Sequence, residues 1–305
     1  MARRRKGRAL DGILLLDKPI GISSNQALQR VRGMYQAQKA GHGGTLDPFA
    51  SGLLPVLFGE ATKFGSYLLD ADKSYEVTLR LGAQTDTDDI EGAVLHRAAI
   101  PELNGDNWQA VCDAFLGEQQ QMPPIYSALK VGGQRAYDLA RRGEHPELAP
   151  RSINVSELSV LDFDHESARL RVRCSKGTYI RALVRDIGAY LGSAAHAIAL
   201  RRVQIGHLPE GMHPLEQISD LTDQKAFETL DELLLPLTDC VSTLPKLVVP
   251  AEKIRFIRHG NDIELLADYP AGEYALYDDD AFFGVGRVAA GRVYPERLCR
   301  LNDNH

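Results

Sequence analysis

The apolar positions of this chain follow two rhythms. Residues 13–16 are an unbroken apolar run closed by Asp17-Lys18-Pro19 and Gly21, which reads as a buried strand and a turn. From Ser23 the period lengthens. Ala27, Leu28, Val31 and Met34 share one face of a helix, and Ser23 with Gln26 three residues on makes a capping box. Residues 53–58 are a second apolar run. Residues 74–81 alternate, with Tyr75, Val77, Leu79 and Leu81 on one face and Ser74, Glu76, Thr78 and Arg80 on the other, as in a half-buried strand. Trp108, Val111, Cys112 and Phe115 return to helical spacing, with Asn107 or Asp106 as cap and Gly117 as stop. Residues 168–174 alternate again, Leu170, Val172 and Cys174 inward and a row of Arg169, Arg171 and Arg173 outward. Ile180, Leu183, Val184, Ile187 and Leu191 form the stripe of a helix that Gly192 ends.

Between these elements the pattern lapses. Residues 84–92 read as an acidic loop. Residues 119–151, with Pro123-Pro124, Gly132-Gly133 and Arg141-Arg142, read as an excursion from the sheet, the kind of segment that clamps ligands. Residues 215–237 read as an acidic helical pair and 245–250 as a linker. Short apolar runs broken by glycine (254–257, 274–277, 282–288 and Val293) then predict a small β module. The expected division is a basic tail over 1–10, a main domain over 11–247 and the small module over 248–305, consistent with a length of 305 residues.

Composition narrows the class. No apolar stretch is long enough to span a bilayer and the Arg-rich start lacks the apolar segment of a signal peptide, so a cytoplasmic location is expected. Cys112, Cys174, Cys240 and Cys299 are far apart, which argues against a zinc site or a disulfide scaffold; no metal site is expected. The net charge of −6 opposes nucleic-acid binding, but positive charge gathers in Arg3-Arg4-Arg5-Lys6, Arg141-Arg142 and a set from Arg169 to Arg202 that includes Arg181 and Arg185. A one-sided basic surface and scattered solvated charge both fit these positions.

The unusual chemistry lies in residues 41–52, Gly-His-Gly-Gly-Thr-Leu-Asp-Pro-Phe-Ala-Ser-Gly. Its four glycines let another molecule approach, and Pro48 stiffens the chain beside Asp47. A carboxylate so held can serve as nucleophile, base, metal ligand or helix cap, and the loop alone leaves all four open. Ser127-Ala-Leu-Lys130 matches a penicillin-binding motif without its Ser-Asp-Asn and Lys-Thr-Gly partners. Gly284-Val-Gly286 has no following helix to make a dinucleotide site.

Taken together, Gly41 to Val56, the string Asp17-Lys-Pro-x-Gly-x-Ser-Ser24, Lys73-Ser-Tyr75, Ser127 to Arg141 and Cys174 to Gly188 resemble the TruB family of tRNA pseudouridine synthases along nearly the whole chain. The resemblance implies an α+β fold. Its parts are a central mixed, mostly antiparallel sheet flanked by helices and loops, residues 119–151 as a thumb that grips RNA, and a C-terminal PUA-like RNA-binding β barrel. It implies Asp47 as nucleophile, Arg181 paired with it, and Tyr75 stacking on the target base within reach of its ring protons. His42, Tyr75, Tyr179, Leu200 and Lys18 become substrate contacts, with His42 filling the gap left by the extruded base. The implied reaction is isomerisation of uridine 55 in the T loop of tRNA, without a cofactor, by a monomer. Arg181 is expected to hold Asp47 ionised by lowering its pKa. Two other classes remain open on the residues alone, an RNA-binding module and an aspartate-dependent phosphotransferase. The second lacks an Asp-x-Asp cluster in the loop.

Overall fold

The structure is a computed structural model that describes residues 7–300 except 128, 145, 146 and 266. Arg3, Arg4, Arg5 and Lys6 of the expected tail, and Ala128 of the Ser-x-x-Lys string, therefore lie outside the described residues.

In chain order the first half holds β1 (Gly12–Lys18), α1 (Ser24–Met34), β2 (Ala40–His42), β3 (Ser51–Phe58), a 3-10 turn over Gly59–Lys63, α2 (Gly65–Asp70) and β4 (Lys73–Leu81). A hairpin of β5 (Ala83–Thr85) and β6 (Val94–Arg97), then α3 (Gly105–Phe115) and β7 (Gly117–Gln121), follow. The excursion contains β8 (Lys130–Val131), β9 (Gln134–Arg135) and α4 (Ala136–Arg141). Next come β10 (Arg151–Phe163), β11 (Ser167–Cys174), α5 (Ile180–Tyr190), β12 (Ala195–Ile205), β13 (His213–Pro214), α6 (Leu215–Asp223), α7 (Phe227–Glu232) and a 3-10 turn over Leu237–Val241. The C-terminal module comprises β14 (Lys246–Val248), α8 (Ala251–Arg258), β15 (Ile263–Glu264), β16 (Gly272–Asp278), β17 (Ala281–Ala289) and β18 (Arg292–Leu298).

The main sheet runs β13-β1-β3-β12-β4-β11-β10-β7, with β2 paired to β3. Its long pairings β1–β3, β12–β4, β4–β11 and β11–β10 are antiparallel, while β1–β13 and β3–β12 are parallel, so the mixed, mostly antiparallel sheet is as expected. Alternation in β4 and β11 works through this register. Val77 faces Leu170 and Tyr75 faces Val172, and one side of both strands packs under α3 and α5. On the opposite side of the sheet's β1–β3 half, α1, α6 and α7 bury Leu14, Leu16, Leu54, Val56 and Phe58. A third cluster joins Ile13, Leu15, Leu57 and Phe64 to Ala275 and Val285 of the C-terminal module, whose five strands, ordered β14-β16-β17-β18-β15, make the curled PUA-like half-barrel.

Local details differ from expectation. The α3 cap is Asn104, whose side chain accepts from the N–H groups of Asp106 and Asn107, while Asn107 completes the capping box rather than being the cap itself. Residues 119–121 belong to β7, paired to 151–153 of β10, so the excursion begins after Gln121. The acidic loop starts inside β5 and leads into the hairpin with β6. The expected linker contains β14, which pairs in parallel with β16, and the run 254–257 lies on α8 instead of a strand. The charge distribution also changes. Arg181 and Arg202 are buried, and Arg171 and Arg173 of the outward row make ion pairs with Glu76 and Glu157.

Candidate active site

Three interactions shape the loop that carries Asp47. Ser24, in the first turn of α1, is buried and bonds Leu46 in both directions: its Oγ accepts from the Leu46 N–H at 2.7 Å and donates to the Leu46 carbonyl at 2.9 Å. The capping box at Ser23 and Gln26 fixes the helix start that presents Ser24. On the other side Arg202, only 1% exposed, donates to the carbonyls of Leu53 at 2.8 Å, Gly44 at 3.1 Å and Thr45 at 3.4 Å. Arg202 comes this close because β3 and β12 touch at Gly52. Its φ is +96°, and a Cβ there would stand 2.2 Å from the Arg202 carbonyl oxygen. The Gly21 N–H bonds the Pro48 carbonyl at 2.8 Å, tying the turn after β1 to the loop. Lys18 is fully buried and donates to the carbonyls of Pro19 and Ile22, both at 2.8 Å.

Arg181, in the first turn of α5, is 5% exposed and meets four acceptors. Its Nε reaches Asp47 Oδ2 at 2.8 Å and its Nη1 lies 3.3 Å from Asp89 Oδ2. The same Nη1 donates to the Thr87 carbonyl at 2.7 Å, and Nη2 donates to the Tyr126 carbonyl at 3.0 Å. A cation at a helix N-terminus opposes the backbone dipole, and these oxygens supply the compensation. One guanidinium thus serves two carboxylates. Asp89 is buried and held by the Thr87 hydroxyl at 2.6 Å and the Glu91 N–H at 3.0 Å, whereas the Asp47 side chain keeps 36% of its surface exposed.

The electrostatic outcome corrects one expectation. Loss of hydration raises the Asp47 pKa above the ordinary carboxylate value. Arg181 opposes that rise, the Asp89 charge adds to it, and the net shift is upward instead of down. Burial also depresses Lys18, to about 8, with the Asp47 charge pulling the other way. Desolvation and the nearby Arg202 charge lower the pKa of His42, which favours its neutral ring, and His42 Nδ1 is buried with no hydrogen-bond partner among the described residues.

Of the residues singled out in the sequence, Asp47 and Arg181 are in direct contact. Tyr179 is the N-cap residue of α5, and burial, aided by the Asp47 charge, raises the pKa of its phenol against the opposing influence of Ser127, Arg151 and Arg181. Tyr75, on β4 opposite Arg202, is likewise raised by burial, with Arg202 hydrogen-bonded to its phenol and the Asp47 charge nearby. Leu200 is buried in the core beneath α5 and also lines an open cleft of about 570 Å³ with Ile20, Phe49, Ile90, Glu91 and Arg201. His42 lies at the end of β2, opposite Val56, within the field of the same Arg202 that bonds the loop. Asp89, Arg202 and Gln121 were not singled out. Asp89 was legible only as part of the Thr85-Asp-Thr-Asp-Asp89 string and Arg202 only as the arginine of the family-like string Leu200-x-Arg-x-x-x-Gly206, while nothing local marks Gln121. Among the described residues no group of three or more His, Cys, Asp or Glu could hold a metal ion.

Comparison with known proteins agrees with this architecture. Residues 32–180 match the model for the TruB family pseudouridylate synthase N-terminal domain, 181–242 the tRNA pseudouridylate synthase B C-terminal domain, and 245–299 the C-terminal domain of pseudouridine synthase II TruB. The chain is 49% identical over 302 residues to tRNA pseudouridine synthase B of Chromohalobacter salexigens, covering 98% of this chain and 97% of that one. With the protein of that name from Aeromonas salmonicida it shares 43% over 317 residues, covering 100% and 99%. Among solved structures, a chain of a Cbf5-Nop10-Gar1 complex superposes with a TM-score of 0.72 at 26% identity, over 95% of this chain and 85% of that one. A chain of an H/ACA RNP bound to a substrate RNA containing 2′-deoxyuridine shares the fold, with a TM-score of 0.73 at 24% identity over 99% and 92%. With near-complete coverage by curated relatives and family models over three consecutive segments, the chain belongs to the TruB family of pseudouridylate synthases.

Proposed function

We propose that this chain converts uridine 55 in the T loop of tRNA to pseudouridine, with Asp47 as nucleophile and no cofactor. The observation that carries the reading is the 2.8 Å contact of Asp47 with Arg181 beside two half-buried tyrosines, in a chain of this family. The reaction breaks the bond from ribose C1′ to uracil N1, turns the base, joins C1′ to C5 and releases the C5 proton. It needs an ionised carboxylate at the sugar or the ring, and a surface that holds the extruded base. Arg181 aims the Asp47 carboxylate, and the residual exposure of Asp47 leaves it open to substrate. Tyr75 stacks on the uracil and is the group proposed to receive the C5 proton, which it can do only as phenolate, the form that the Arg202 guanidinium beside it favours against burial. Tyr179 and Leu200 wall the pocket, His42 fills the vacated stack, and Lys18 supports the loop from below. A loop uridine costs little to extrude compared with one in a duplex, so a stem-loop substrate suits a site built this way.

The reading extends to the excursion over 122–150 as the element that grips the T arm, to the C-terminal module as a second RNA contact, and to action as a monomer in the cytoplasm. No helix among the described residues is long and apolar enough to cross a membrane. The test is Asp47→Asn, assayed by tritium release from a T-arm transcript carrying [5-³H]uridine. Release should fall to background while RNA affinity stays within about threefold, because the substitution removes a charge without changing shape. Release at the wild-type rate would overturn the assignment.

A further inference from the structure

We infer that Gln121 is a positioning residue for this site: its buried side-chain amide holds the main chain of Tyr179 and thereby sets where that ring stands relative to Asp47. The inference rests on Tyr179 being a wall of the substrate pocket, as proposed above.

Helix α5 begins at Ile180 with Tyr179 as its N-cap, and the Tyr179 side chain makes no capping hydrogen bond. A side chain committed to a pocket cannot also satisfy the first turn, so support must come from elsewhere. Gln121, 3% exposed at the end of β7, supplies it. Its Oε1 accepts from the Tyr179 N–H at 2.9 Å and its Nε2 donates to the Tyr179 carbonyl at 3.1 Å. The Leu183 N–H donates to the same carbonyl at 3.0 Å, so both lone pairs of that oxygen are used. Only a side chain offering an acceptor and a donor from one planar group meets both demands.

Gln121 is also the last residue of β7 paired to β10, opposite Arg151, so the excursion leaves and rejoins the sheet there. Two more bonds join the start of the excursion to α5: Arg185 Nη2 to the Met122 carbonyl at 2.9 Å and Arg181 Nη2 to the Tyr126 carbonyl at 3.0 Å. Four bonds therefore connect residues 121–126 with Tyr179, Arg181 and Arg185. Gln121 makes the two that fall on the pocket tyrosine, and it ties the root of the proposed RNA grip to the pocket wall.

The experiment measures single-turnover tritium release at saturating enzyme, with T-arm affinity by filter binding, for Gln121→Ala, Tyr179→Ala, the double variant and Gln121→Glu. Gln121→Ala should lower the rate roughly 10- to 100-fold with affinity nearly unchanged, the scale expected when a contacting group is misplaced by about 1 Å. The double variant should be no slower than Tyr179→Ala. Gln121→Glu carries the discriminating readout. Ionised, it can accept from the Tyr179 N–H but repels the Tyr179 carbonyl; protonated, it regains the missing donor. Its rate relative to wild type should therefore rise as pH falls, while the Gln121→Ala ratio stays flat. A flat Gln121→Glu ratio, a wild-type rate for Gln121→Ala, or additive losses in the double variant would each overturn the inference. If Tyr179→Ala alone is as fast as wild type, the pocket role of Tyr179 falls and this inference with it. If Tyr179→Ala is slow and Gln121→Ala is not, only the inference falls.

Discussion

Replacing Arg181 with Met keeps an apolar stem of similar length and deletes the guanidinium. Asp47 and Asp89 then face each other without the cation they share, and the Thr87 and Tyr126 carbonyls lose their donor. Breaking a sheltered pair by removing one partner costs about 3–5 kcal/mol. The Asp89 contact is fully sheltered, but the Asp47 side chain is 36% exposed and adds less, so the lower end, about 3 kcal/mol, is expected in a urea unfolding comparison. On the proposed mechanism, loss of an aimed charge partner lowers the single-turnover rate roughly 100- to 1,000-fold, about 2.7–4 kcal/mol of barrier. The pH dependence separates this from simple damage. The Asp47 pKa is already raised, mainly by lost hydration, and Arg181 is its chief opposing influence. Deleting Arg181 raises it further, so less of the Asp47 is ionised at a given pH. The deficit relative to wild type should shrink as pH rises through the carboxylate range and above it. Arg181→Lys should recover part of the rate, since one ammonium cannot reach two carboxylates and two carbonyls at once. If Arg181→Met keeps its rate and loses only RNA affinity, with no change in the pH profile, Arg181 is a phosphate contact and the reasoning fails.

Two further outcomes follow from the same geometry. Asp89→Asn removes a negative charge that raises the Asp47 pKa, so the acid limb of the rate profile should move to lower pH; an unmoved limb would mean that Asp89 does not act on Asp47. Ser24→Ala breaks both bonds to Leu46 and leaves buried main-chain groups unpaired, which should cost about 1–3 kcal/mol in urea unfolding. It should also slow tritium release at unchanged RNA affinity, and a destabilised variant with wild-type kinetics would limit Ser24 to a structural role.

What the sequence revealed depended on how local each signal was. The alternation in β4 and β11 and the Ser23–Gln26 capping box are set by residues a few positions apart, and they stand in the structure as read. The Asp47–Arg181 contact joins residues 134 positions apart, and the family resemblance was what suggested it. Other features had no local mark. The parallel partner of β14 lies nearly thirty residues downstream, so a segment between two prolines read as a linker. Ile254 and Ile257 are one helical turn apart, a spacing that four residues cannot distinguish from a strand run. Asp89 sits among acids that read as a solvated loop, and it is buried because Arg181 and the Glu91 N–H receive it. Arg202 follows Arg201 in what looks like a basic surface pair. In the strand the two point to opposite faces, Arg201 out to Asp17 and Arg202 into the protein.

The C-terminal half-barrel buries Leu247, Ile257, Leu276, Phe283 and Val293 in a core of its own, but its other face is shared with the main domain. Ala275 and Val285 pack with Ile13, Leu57 and Phe64, the ring of Phe282 stands 5.4 Å from that of Phe64, and Lys63 donates to the Leu298 carbonyl while Arg297 donates to that of Lys63. Cutting the chain before β14 would expose an oily seam on both pieces, even though each has a core of its own. The two parts are therefore welded, so that on the proposed function an RNA gripped by the far module would meet Asp47 at a fixed distance, like work clamped against a stop on a lathe.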